Sequence, residues 1–271
     1  MTAALPIFEH QRSHGEAKVT LDLQGGRVRI GTLRQKGSAK VFLPNVGGVT
    51  EVVFLNTSGC LTGGDRLSYS LCTGAGLQVV ATTQTAERAS QSSAGTARVD
   101  VALQVGDNGW LDWLPQETIL FDGSSLQRNT RIDLGRGAGC LALEQIVLGR
   151  AAMGETLQHL QFRDRREIWR EGQLITMEPL CLNDKSLRAG PAVTGGARAF
   201  ASLVMIGDGA EDALGAVRAT FTEDGVEAGA SRLEGRLHVR LAAKDGWPLR
   251  QQVIKILRVL RTAALPRVWQ I

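Results

Sequence analysis

The residues best equipped for chemistry in this 271-residue chain are carboxylates set among glycines, hydroxyls and amides. Asp65 is the only carboxylate of Asn56-Thr57-Ser58-Gly59-Cys60-Leu61-Thr62-Gly63-Gly64-Asp65, a polar, glycine-dense stretch. Three arrangements suit it: a tight structural turn, an anion cradle of backbone amides, or a cation or partner site using Asp65. The cradle lacks the Lys and following Ser or Thr of a P-loop, and no helix starts after it. Gly59, Gly63 and Gly64 permit positive φ or close backbone approach, while Asn56, Thr57, Ser58 and Thr62 can bond the backbone groups such a turn leaves open. Glu144 lies inside the nearly continuous apolar run 141–148, where a carboxylate must be paired, hydrogen-bonded or kept neutral. It either sits at an open edge, bonded by Arg150 or an amide, or lines an internal passage. Glu178 is carried on a further strand, just before Pro179.

Other reactive groups are poorly assembled. His159 and His238 occupy alternating segments outside any Gly-x-Ser-x-Gly setting, so no nucleophile and base are grouped and catalysis is not expected. Glu117 and Asp122 could serve glycoside hydrolysis, but aromatics are scattered and Tyr69 is the only tyrosine. His10 and His14 could share a helix face and hold a metal weakly, although a frayed terminus is the expected state. Cys60, Cys72, Cys140 and Cys181 form no CxxC pair and read as reduced, mostly buried thiols.

The elements that would position these groups are mostly strands. The 56–65 stretch is flanked by the β-branched run 50–55 and the alternating run 66–71. Val19, Leu21 and Leu23, then Gly25-Gly26, then Val28 and Ile30 predict a hairpin. Short runs at 77–81, 97–105, 118–121 and 128–134 make the first two-thirds all-β, compatible with a sandwich, barrel or solenoid. Arg163-Asp164-Arg165-Arg166-Glu167 reads as a charged turn or edge on a solvated face. Residues 173–180 form another strand, and 183–198 form a loop and candidate hinge. A helix is expected over 210–221 and a late strand over 236–241. The clearest helix spans 246–265, capped by Asp245, with Leu249, Val253, Ile256, Leu257, Leu260 and Ala264 in one stripe. Arg250, Lys255, Arg258 and Arg261 fall outside the stripe, and the helix is expected to pack on the body rather than on a membrane. Trp269 and Ile271, in the apolar tail after Pro266, are candidate partner-binding residues. The expected organisation is a flexible tail, 1–14, and one β domain, 15–271.

With 43% hydrophobic and 21% charged residues, the chain can bury a sizeable core. Its net charge of +4 is spread without interleaved aromatics, which argues against nucleic acid and leaves an acidic protein partner open. No run approaches the ~18 apolar residues of a membrane span, and residues 1–15 lack a basic start with a long apolar core, so a cytoplasmic location is expected.

Several strings, in order, resemble the urease accessory protein D family (UreD, also called UreH). Leu33-Arg34-Gln35-Lys36-Gly37-Ser38-Ala39-Lys40-Val41-Phe42-Leu43-Pro44 looks like its opening segment, and 56–65 is similar to its NTSGGLTGGD signature. Thr82-Thr83-Gln84-Thr85-Ala86-Glu87-Arg88 is similar to its TTQ-x-AER stretch, followed by Trp113-Leu114-Pro115-Gln116-Glu117-Thr118-Ile119-Leu120-Phe121-Asp122-Gly123 and Leu148-Gly149-Arg150. Cys60 stands where the family usually has Gly, and Ala89-Ser90 replaces an expected Tyr. The resemblance implies a mainly β, layered β-solenoid or β-helix-like body of many short strands, with about two helices packed in the C-terminal third. No exact repeat length supports this independently. It also implies a non-enzymatic urease maturation scaffold or chaperone, which binds urease apoprotein and accessory protein F directly, and accessory protein G through F, in a dimeric heterocomplex. Nickel(II) would pass transiently, with no tightly bound cofactor. Asp65, Glu87, Glu144 and Glu178, with the neutral oxygens of Thr82, Thr83 and Gln84, are the candidate path. Oxygen ligands hold Ni²⁺ weakly compared with thiolate or imidazole, and a transfer route must release its cargo. For Asp65 the path is preferred over the turn. The alternative of a different class is a stand-alone carbohydrate-active β-solenoid enzyme or lectin using Asp65 and Asp122.

Overall fold

The computed structural model describes residues 12–44, 48–189 and 191–270, so His10 and Ile271 lie outside the described residues. The predicted hairpin is present as β1 (His14–Gln24) and β2 (Arg27–Lys36), followed by β3 (Ala39–Phe42). His14, placed in the tail by the sequence, is the first residue of β1.

Four coils come next. The first is β4 (Thr50–Asn56) and β5 (Arg66–Thr73); the second is β6 (Gln78–Thr83), β7 (Glu87–Ala89) and β8 (Ala97–Val105). The third is β9 (Trp110–Leu114), β10 (Thr118–Leu120) and β11 (Ser124–Leu134), and the fourth is β12 (Gly139–Leu148) and β13 (Leu160–Arg170). One sheet stacks β1, β5, β8, β11 and β13 in parallel, the other stacks β4, β6, β9 and β12. The fold is therefore the mainly β solenoid that the resemblance implied. Parallel register places like side chains over one another: Val19, Leu71, Leu103, Ile132 and Ile168 form one inward ladder, each fully buried. The coils are unequal, since Arg66 lies opposite Arg98, Ala97 opposite Leu126, and Ser124 opposite Leu160. That inequality hides the repeat from the sequence.

Beyond the fourth coil β14 (Gln173–Asn183) turns back against β13, and two short helices follow, α1 (Asp184–Arg188) and α2 (Pro191–Thr194). β15 (Ala199–Ile206), α3 (Ala213–Ala219), β16 (Val226–Leu233) and β17 (Arg236–Ala243) come next, the three strands extending the second sheet in antiparallel order. α4 (Gly246–Leu260) is capped by Asp245, which accepts from the Trp247 amide at 2.8 Å, and buries Leu249, Val253, Ile256 and Leu257 in a core shared with β15 and β17. No helix among the described residues is long and apolar enough to cross a membrane.

Four expectations need correction. The segment 163–167 is the middle of β13, not a solvated turn, and alternates so that Asp164 and Arg166 are buried. The last long helix stops at Leu260 rather than 265, because Arg261 is extended and its Nε bonds Asp112 at 2.6 Å. That arginine is buried rather than outside the packed face. Of the four free cysteines only Cys140 is buried, and Cys181 is exposed.

The glycines of 56–65 serve different needs. A Cβ on Gly63 would stand 2.2 Å from the Ala94 carbonyl and 1.9 Å from Ser92 Oγ, whereas one on Gly59 meets nothing within 4 Å but is strained by φ +86°. Gly63→Ala should cost roughly 2–3 kcal/mol, as for overpacking, and Gly59→Ala about 1 kcal/mol. Denaturant titration checks the order, and equal losses would reject it.

Candidate functional site

Two inward ladders lie beside the aliphatic one and change character as the coils advance. Leu67 and Val99 are succeeded by Arg128 and Asp164, and Tyr69 and Val101 by Thr130 and Arg166. The third and fourth coils thus place charge where the earlier ones place hydrocarbon. Opposite, β12 contributes Glu144, paired across β15 with Ser202, and β14 presents Glu178 opposite Arg166.

Burial forces these charges together. Arg128 is bidentate on Asp164 (Nε to Oδ1 2.9 Å, Nη2 to Oδ2 2.6 Å), while its Nη1 donates to Thr118 Oγ1 at 2.9 Å and lies 2.8 Å from Glu144 Oε2. Glu144 Oε1 also faces Trp113 Nε1 and Thr130 Oγ1, each at 3.4 Å. Arg166 bonds Glu178, Ser202 Oγ at 3.0 Å and the Ala142 carbonyl at 3.1 Å. Glu178 further accepts from Ser202 Oγ at 2.8 Å, with His238 Nδ1 at 3.9 Å.

The two carboxyls respond oppositely. Burial pushes Glu144 up, against the pull of Arg128, with Asp164 adding to the rise. Burial also opposes ionisation of Glu178, but neighbouring His238, the charge and bond of Arg166, and the Ser202 hydroxyl hold it well below the usual carboxylate range.

Glu144 borders two spaces. One is a small cavity of about 40 Å³, walled mainly by apolar side chains such as Leu67, Val99, Val101 and Leu126, which Thr83, Glu87, Thr118 and Arg128 also line. The other is a groove of about 580 Å³, also bordered by Glu178, Ser202, Glu227 and Arg240. Of the predicted path residues, Thr83 and Glu87 line the first space, Glu178 the second, and Glu144 both. Asp65, Thr82 and Gln84 line neither space. Thr82 Oγ1 is spent on the Leu114 carbonyl at 2.6 Å, and Gln84 is exposed. Asp65 is 3% exposed, its oxygens accepting from the amides of Ser13 (2.7 Å) and Thr62 (2.9 Å), which is the geometry of a bonded turn. Among the described residues, no three His, Cys, Asp or Glu side chains are grouped to hold a metal.

The rest of the 56–65 loop is also knitted. Thr57 reaches the Ser38 carbonyl, Thr62 Oγ1 reaches that of Gln91, and Asn56 Oδ1 accepts from Ser58. Asn56 Nδ2 then donates to Glu87 at 3.2 Å, linking the loop to the cavity wall. Cys60 has no positive φ, so its backbone makes no demand for glycine there.

The carboxylates of the carbohydrate alternative are engaged otherwise. Asp122 accepts from the amides of His159 (2.9 Å) and Gln158 (2.6 Å), which lower its pKa, while Glu117 lies 3.4 Å from Arg250. Trp269 is 2% exposed, with its indole donating to the Leu114 carbonyl at 3.0 Å and the Arg250 guanidinium over its ring, so it packs against the body. Sequence reasoning missed Arg128, Asp164, Arg166 and Ser202. Alternation of Phe162, Asp164, Arg166 and Ile168 was the available signal, obscured by the neighbouring Arg163, Arg165 and Glu167.

The family model described as UreD urease accessory protein matches residues 13–270. The chain belongs to this family. It is similar to urease accessory protein UreD of Cereibacter sphaeroides, 61% identical over 263 residues and 96% of each chain. The UreD of Paracoccus denitrificans is 51% identical, covering 100% of this chain and 97% of its own. That of Rhizobium leguminosarum bv. trifolii is 46% identical over 96% of both.

Glu87 should make the stability of the fold depend on pH. Burial pushes its carboxyl up to about 7, against the Asn56 bond, the Arg88 amide and the charges of Arg88 and Arg128. The folded value exceeds the ordinary 4.5, so the folded state binds more protons between the two, and the stability from this group is lost as pH rises through 7. Glu87→Gln, neutral throughout, should raise the denaturation midpoint relative to wild type at about pH 8 more than at about pH 5. An identical pH profile for both proteins would show that Glu87 is ionised throughout.

Proposed function

We propose that this chain is a urease maturation scaffold, which assembles with urease apoprotein and accessory proteins F and G and passes nickel(II) towards the urease active site along the buried carboxylates between its sheets. Membership of the urease accessory family supports the maturation role. The observation that carries the path is Glu144, a single carboxylate in the wall of both the small cavity and the open groove.

Glu178 offers a persistently negative oxygen pair in the groove, Glu144 the junction, and Glu87 and Thr83 the oxygens beyond it. All are hard ligands of low affinity for Ni²⁺, suited to brief contact. Arg128 and Arg166 are the present counter-ions of Glu144 and Glu178. A passing cation must share or displace these guanidinium partners, which makes them both a brake on entry and a ready replacement after exit. The Asp65 loop supplies rigidity instead of a ligand. This work needs no nucleophile, so the chain acts as an accessory and not as a catalyst.

Glu144→Gln and Glu178→Gln keep the size of each group and remove its charge. Urease matured with either variant should carry less nickel per assembled complex, on the order of tenfold. Asp65→Asn should load nickel as wild type does. Full loading by both glutamine variants in an intact complex would refute the path, and a nickel defect confined to Asp65→Asn would move it to the signature loop.

A further inference from the structure

Among the described residues, no strand or helix covers the N-terminal end of the solenoid. Among the described residues β2 pairs only with β1, which leaves one edge of its backbone without a strand there, and all ten of its residues are exposed. The second sheet stops earlier, at the four-residue β3, which pairs only with β4. Register with β1 assigns the two rows of β2. Leu33 and Ile30 lie opposite the fully buried Val19 and Leu21, and Val28 opposite Leu23, so this row faces inward. With no strand beneath them among the described residues, Leu23, Val28, Ile30 and Leu33 are 50, 38, 50 and 48% exposed.

The other row of β2 carries Arg27, Arg29, Arg34 and Lys36. From residue 23 to residue 50 the chain has five cations and no Asp or Glu. Arg34 alone of that row has a carboxylate partner among the described residues, Glu16 at 3.5 Å. Cations on an edge strand commonly serve to prevent self-pairing, but that purpose is poorly served by an apolar row on the same strand. Solenoids ordinarily close their ends with a polar cap. Two copies joined through β2 would set like charges against one another.

We infer that β2 is a docking edge for an acidic segment of a protein partner, which adds to the first sheet as a further strand and covers the end of the solenoid. The complementary segment alternates, with Asp or Glu beside Arg27, Arg29, Arg34 and Lys36, and apolar side chains over Val28, Ile30 and Leu33. Backbone bonds along the free edge supply affinity and the two rows supply specificity. The charge row adds rate and salt dependence. This rests on the scaffold reading for the partner's presence, and is independent of the nickel path.

The test is hydrogen exchange of amides 27–36 in the chain alone and after assembly with urease apoprotein and accessory proteins F and G. Protection on assembly is expected, and Arg27→Glu/Arg29→Glu and Ile30→Asp should each weaken assembly by roughly tenfold while leaving the melting temperature unchanged. A complex in which these amides exchange as before, or in which both variants assemble normally, overturns the inference and spares the scaffold. Failure of the wild-type chain to assemble overturns both. Protection by phosphatidylserine vesicles, duplex DNA or self-association instead of these proteins overturns the acidic-protein occupant. Protection in the chain alone that vanishes on deleting residues 2–11 does the same, because the chain then covers its own edge.

Discussion

The Arg128 guanidinium, closed off from solvent and clamped between Asp164, Glu144 and Thr118, is the interaction around which the polar half of the core is arranged. A charge removed from water costs several kcal/mol unless nearly every donor and its counter-charge are supplied. Here the supply comes from the third and fourth coils and from both sheets. Coil geometry, strand register and the sheet separation must all be right for the clamp to close. The aliphatic ladder through Leu71 and Leu103 tolerates small errors of position, because hydrophobic contact has little direction. The clamp does not, and so converts an adaptable stack into one defined arrangement. Arg166 and Glu178 repeat the device at the rim, where the groove admits solvent.

The structure also separates two kinds of signal in the sequence. Local chemistry was legible: the Gly25-Gly26 hairpin, the Asp245 cap and the apolar stripe of α4 each follow from neighbouring residues. The family strings supplied the solenoid, which unequal coils had concealed. What stayed hidden depends on contacts distant in sequence. Arg128 and Asp164 are 36 positions apart, and each looks like an ordinary surface charge until parallel register places them side by side. Glu144 was conspicuous because its own strand is apolar, and it is buried against Arg128 rather than bonded to Arg150. Asp65 was conspicuous for the same kind of reason, yet its oxygens are used by backbone amides. A lone carboxylate in a glycine loop and a lone carboxylate in a strand look equally chemical in sequence, and only the direction of the side chain separates them.

The 56–65 loop illustrates how a segment can matter to a site without touching it. Its bonds to Ser13, Ser38 and Gln91 tie the first coil to the start of β1, the hairpin end and the second coil. Asn56 then fixes the orientation of Glu87. Gly63 permits the close approach of Ser92, Ala94 and Gly95 to the loop. The loop therefore sets the spacing between coils at the same end as the cavity wall, a geometric task that depends on its polar residues and glycines alike.

The closing contacts of the chain have a consequence for how it is made. Arg261 bonds Asp112 across 149 positions, and Trp269 bonds the Leu114 carbonyl across 155, so one face of β9 is finished only by residues far downstream. During synthesis the early coils leave the ribosome with that face bare, and the Asp112 carboxylate waits without its guanidinium. A nascent chain of this design is exposed to wrong partners for most of its translation, and parallel, long-range pairing is slow to correct such errors. Its solubility in the cell is then governed as much by what meets it at birth as by the stability of the finished fold.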